Sequence, residues 1–98
     1  MIILYILTLQ LNYIKYDMSK LTDFMRLCLK RKEIPQSWGI SHIIISKTKI
    51  SFHVFGSKYQ GRITIIESDS IITVKTIYIE KLFPTAYELF NWLDKSIE

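Results

Sequence analysis

His42 and His53 are the only histidines in the chain, and a β-hairpin would set them diagonally on one face, as a metal site or an acid/base pair requires. A structural zinc typically takes four protein ligands and a catalytic one three. No Cys or carboxylate is assignable beside the two rings, so the ligand count falls short and surface histidines are expected. The single Cys28 cannot form an internal disulfide. It lies in an apolar helical stretch, where a thiol is buried and reduced, and a nucleophile would need a neighbouring base. Gly56-Ser57-Lys58-Tyr59-Gln60-Gly61 begins and ends in glycine but lacks the Gly-Lys-Ser/Thr ending and following helix of a phosphate-binding loop. Glu67 and Asp69 fall in a turn, where acids are solvated or cap backbone amides. No Gly-x-Ser-x-Gly or His-Glu-x-x-His occurs. The residues therefore predict no catalytic site, no metal and no cofactor.

The elements that would position these residues follow from alternation. Between His42 and Lys75 the apolar residues recur with a period of two, the spacing that sends alternate side chains to opposite faces of a strand. With Thr48-Lys49 as a loop, Ile45 faces Phe52 and Ile43 faces Val54. With Glu67-Ser68-Asp69-Ser70 as the second loop, Ile65 faces Ile72 and Ile63 faces Val74. One face of both hairpins is then apolar. The other is mixed and holds His42, Ile44, His53 and Phe55 from the first hairpin, with Arg62, Ile66, Ile71 and Lys75 from the second. A one-residue slip would exchange the faces, so the apolar face is expected to specify the pairing; Thr48-Lys49 lacks the glycine or asparagine of the favoured hairpin turns, which leaves a longer loop open there. Residues 76–80 keep β-propensity but move their apolar side chains to odd positions, which predicts a bulge or a separate short strand.

Two helices flank the strands. Ser19 is an N-cap candidate for a helix to about Lys32 whose apolar face is Leu21, Phe24, Met25, Leu27 and Cys28. Pro35 stops it, leaving residues 33–39 as a linker in which Trp38 is expected to cover the edge of the core. Pro84, then Thr85 with Glu88 three residues on, marks a capping box. Ala86, Leu89, Phe90, Leu93 and Ile97 follow at helical spacing, with Tyr87 and Trp92 at the rim. The predicted fold is α+β: a four-stranded antiparallel sheet with an N-terminal and a C-terminal helix on one face, forming a single domain over residues 18–98.

Residues 1–17 carry two open readings. Leu7, Leu9, Leu11 and Tyr13 alternate with Thr8, Gln10 and Asn12, as in a fifth strand. Met18-Ser19-Lys20 also resembles a translation start, which would make the preceding residues an upstream extension. A membrane span is not expected, because Thr8, Gln10 and Asn12 interrupt a run that ends at Lys15, well short of ~20 apolar residues. No basic n-region or small-residue cleavage site marks a secretory signal.

The formal net charge of +4 is uneven. Residues 1–62 hold ten Lys/Arg against three acids, and residues 63–98 hold three against six. That split suits self-association or an anionic ligand, although Lys30-Arg31-Lys32 also complements the negative end of its own helix. The expected function is a non-enzymatic cytoplasmic interaction module that forms a homodimer, or binds another protein, through the mixed face. The alternative is single-stranded nucleic-acid binding by the same face, with Phe55 stacking on bases and His53, Arg62, Lys75, Lys58 and Tyr59 beside it.

Overall fold

The computed structural model describes residues 20–97. The strand or extension read at residues 1–17 and the Ser19 cap lie outside the described residues. The elements run α1 (Lys20–Lys30), α2 (Glu33–Ser37), β1 (Ser41–Ile45), β2 (Lys49–Phe55), β3 (Gln60–Ser68), β4 (Ile71–Lys75), β5 (Glu80–Phe83) and α3 (Ala86–Ile97). The strands form one antiparallel sheet in the order β1-β2-β3-β4-β5, so each pairs with its neighbour in sequence. This is the expected α+β arrangement, with α1 and α3 packed together. Its fifth strand is Glu80–Phe83.

The turns set a register two residues away from the expected one while keeping the faces. Asp69 (φ 52°) and Ser70 (φ 63°) both adopt the left-handed region, so they alone form the loop, and Ser68 pairs with Ile71. Two successive left-handed residues twist the chain as a hairpin requires, and Asp tolerates that region better than most side chains. Ile65 consequently faces Val74, and Glu67 faces Ile72. In the first hairpin the Ser46 amide donates to the Lys49 carbonyl at 2.8 Å. The loop is Lys47-Thr48, and Ile45 faces Ile50. A shift of two preserves the side-chain alternation, which explains why the inner face is still the apolar one.

That inner face is built from Ile50, Phe52 and Val54 of β2, Ile63 and Ile65 of β3, Ile72 and Val74 of β4, and Phe83 of β5, all buried. Leu21, Phe24, Met25 and Cys28 of α1 and Leu89, Phe90, Leu93 and Ile97 of α3 close over it. Phe90 is central: its ring centroid lies 6.3 Å from that of Phe24 and 5.6 Å from that of Trp38. Burying such a side chain contributes roughly 1.5–3 kcal/mol. Trp38 is fully buried rather than an edge cover. The linker expected at 33–39 winds into α2 over Glu33–Ser37, and Pro35 fits because amides in the first turn of a helix have no intrahelical acceptor.

Side chains from the sheet fix the helix ends. The Leu21 amide, in the first turn of α1, donates to Glu67 Oε1 at 3.0 Å, so Glu67 caps backbone rather than pairing with Asp69. Lys20 Nζ donates to the carbonyls of Ser70 and Pro84. At α3 the Glu88 amide donates to Thr85 Oγ1 at 3.2 Å, as the capping box predicts. Arg31, just beyond α1, sets its guanidinium 5.4 Å from the centroid of Tyr87, so one cation of the basic run joins the two helices.

Candidate interaction face

With α1 and α3 on the inner face, no helix among the described residues covers the other face of the sheet. Its side chains form rows across the strands. Ile44 lies opposite Ser51, Ser51 opposite Thr64, Thr64 opposite Lys75 and Lys75 opposite Glu80. A second row runs Lys49, Ile66, Thr73, Leu82. His53 stands opposite Ser41 on one side and Arg62 on the other. Phe55 opposite Gln60, and Ser68 opposite Ile71, lie at the two ends.

The centre of the face is polar and internally bonded. Arg62 Nη1 donates to Ser51 Oγ at 2.6 Å, and Ser51 Oγ lies 3.3 Å from Thr64 Oγ1. Lys75 Nζ pairs with Glu80 at 3.5 Å across the exposed β4–β5 ladder, a contact worth well under 1 kcal/mol at such a site. No carboxylate among the described residues pairs with Arg62. Apolar side chains surround this centre: Ile44 is 61 % exposed, Phe55 69 %, Leu82 61 % and Ile71 42 %, while Ile66 is half-buried.

His42 and His53 do meet, with ring centroids 6.2 Å apart in an edge-to-face arrangement. A break in register between Ser41 and Ile44 creates the contact. His42 sits at this bulge in the left-handed region (φ 52°), where an extra residue re-aims a side chain and bends an edge strand. Its Nδ1 lies 3.0 Å from Ser41 Oγ. Among the described residues no three His, Cys, Asp or Glu side chains converge to hold a metal.

Two of the expected site residues turn away from the face. Lys58 packs on the end of α3, its amide donating to the Ile97 carbonyl at 2.9 Å and its Nζ to the Lys95 carbonyl at 3.2 Å. Tyr59 is half-buried against the core, and its hydroxyl donates to the Arg62 carbonyl at 3.1 Å. The two glycines of this loop account for the direction. A Cβ on Gly56 would lie 2.2 Å from the Ile97 carbonyl oxygen, and one on Gly61 would lie 2.9 Å from the Tyr59 hydroxyl.

Leu82 belongs to the face and was missed, because the apolar shift at 76–80 masked the strand that follows. The available signal was the Lys81-Leu82-Phe83 alternation before Pro84. Cys28 is 2 % exposed, and burial pushes its thiol well above the ordinary range, so it is packing rather than a nucleophile. Among the described residues no helix is long and apolar enough to cross a membrane. No protein-family model matches the chain, nor does any curated protein or solved structure.

Proposed function

We propose that this protein is a non-enzymatic interaction module that forms a homodimer through the open sheet face. The observation that carries the reading is one-sided coverage among the described residues: α1 and α3 lie on the inner face, while Ile44, Phe55, Ile71 and Leu82 stand exposed on strands β1, β2, β4 and β5 of the other. Large apolar side chains distributed over one surface and interleaved with hydrogen-bonding groups mark interaction sites. Two copies related by a two-fold axis would pack sheet on sheet and bury the same residues on each side. Lys75 is already neutralised by Glu80, which lessens the repulsion between two like faces. A lone buried thiol suits a reducing compartment, and we place the module in the cytoplasm.

The test is the mass of face variants in solution. Ile44→Asp and Leu82→Asp each place a charge where the partner would pack, at side chains exposed enough to leave the monomer fold intact. Both should convert a dimer to a monomer. A mass that neither substitution changes would put the contact elsewhere.

A second reading draws on Arg62, which has no carboxylate partner among the described residues, and on the exposed ring of Phe55. These are ingredients for a single-stranded nucleic acid, with Lys49 on the row of Ile66. Arg62→Ala would then weaken oligonucleotide binding and reduce its salt slope by about one phosphate contact. An unchanged slope removes Arg62 from such a site.

A further inference from the structure

Beneath the β4–β5 turn lies a cleft of about 310 Å³, away from the open sheet face, walled by Tyr59, Tyr78 and Trp92 with Ile63 at its base. Lys58 and Ser96 also line it, and among the described residues no carboxylate does. The volume is at the lower end of the range for small-molecule sites, which are mostly apolar with a few convergent polar groups.

The walls are held before any ligand arrives. Tyr59 is fixed at its hydroxyl by the Arg62 carbonyl and at its ring by the bare Cα of Gly61. Its ring meets Tyr78 edge-to-face with centroids 6.4 Å apart. Tyr78 belongs to a braced turn. Ile77 and Tyr78 occupy a tight loop closed by Thr76 and Ile79, and they are 73 % and 78 % exposed. The Thr76 hydroxyl holds the loop by accepting from the Tyr78 and Ile79 amides, both at 3.1 Å, an ordinary device of Ser and Thr in turns.

The polar groups set the ligand's charge. Among the described residues Lys58 donates one ammonium proton, to the Lys95 carbonyl, which leaves two for a ligand. The Ser96 hydroxyl engages no described residue. We infer that the cleft binds a small amphipathic carboxylate, its apolar body between Tyr59, Tyr78 and Trp92 and its head at Lys58 and Ser96.

The experiment is a titration of the full chain with sodium octanoate, followed by amide and indole chemical shifts, with 1-octanol as the uncharged control. Octanoate should bind with a dissociation constant on the order of 100 μM, moving residues 58–63, 76–79 and 92–97. Octanol and the Lys58→Gln variant should each bind about tenfold more weakly, the weight of one charge-assisted contact. Tyr78→Ala changes an exposed side chain, so it should lose affinity without losing the fold. Equal affinity for octanol would overturn the assignment of the head group. Absence of shifts in the cleft, or shifts centred on Ile44 and Leu82, would overturn the site itself.

Discussion

Arg62 Nη1 donates to Ser51 Oγ at 2.6 Å across the β2–β3 ladder, from a half-buried arginine to a serine only 4 % exposed. Ser51 would otherwise have Thr64 alone, at 3.3 Å. Hydrogen bonds from charged donors are stronger than neutral ones, and a buried hydroxyl left short of partners is costly. A double-mutant cycle of Arg62→Ala and Ser51→Ala, read by urea unfolding at one protein concentration, should give a coupling of about 1 kcal/mol. Additivity would show that the contact contributes nothing to stability.

Cys28 gives stability a dependence on pH. Burial raises its thiol in the folded chain, so the folded protein holds a proton that the unfolded chain releases above about pH 8.5. Its contribution is complete below that pH and declines above it by up to about 1.4 kcal/mol per pH unit. Unfolding free energies of wild type and Cys28→Ala, compared between pH 7.5 and 10, should differ by an amount that shrinks as pH rises. Parallel curves would mean that the thiol ionises equally in both states.

Gly56→Ala tests the approach of α3 to the β2–β3 loop. The new methyl would lie 2.2 Å from the Ile97 carbonyl oxygen and 2.3 Å from Ile97 Cγ2, so the helix end must move and the Lys58 amide loses its acceptor. A loss of about 2 kcal/mol or more is expected in urea unfolding. An unchanged midpoint would show that the C-terminal turn of α3 does not dock there.

Thr76→Ala removes the acceptor shared by the Tyr78 and Ile79 amides. Amide exchange at both positions should speed up about tenfold, at a cost near 1 kcal/mol. Unaltered exchange would mean that the Thr76 amide bond to Ile79, at 2.9 Å, holds the turn alone.

The alternation from His42 to Lys75 contained the two faces of the sheet because face depends only on the parity of each residue. Register depends on the loops, and these were harder to read. Asp69 and Ser70 enter the left-handed region together without a glycine to announce it, and His42 does the same at a bulge that no residue type marks. Glu67 was legible as a backbone cap but not its partner, since Leu21 is 46 residues away. The site divides in the same way. Ile44, His53, Phe55, Arg62, Ile66, Ile71 and Lys75 share a face by parity. Lys58 and Tyr59 left it because Gly56 admits α3 and Gly61 admits a tyrosine ring, contacts between segments far apart in the chain. Trp38 became core for a similar reason: Phe90 of α3 supplies its neighbour.

The most direct test of the open face as a dimer interface is sedimentation equilibrium of the full chain from about 1 to 300 μM, a range spanning the dissociation constants of weak and moderate interfaces. Association through this face gives a mass rising from the 11.6 kDa monomer to twice that value, with Leu82→Asp monomeric throughout. A wild-type mass that stays at the monomer value over the whole range would contradict it.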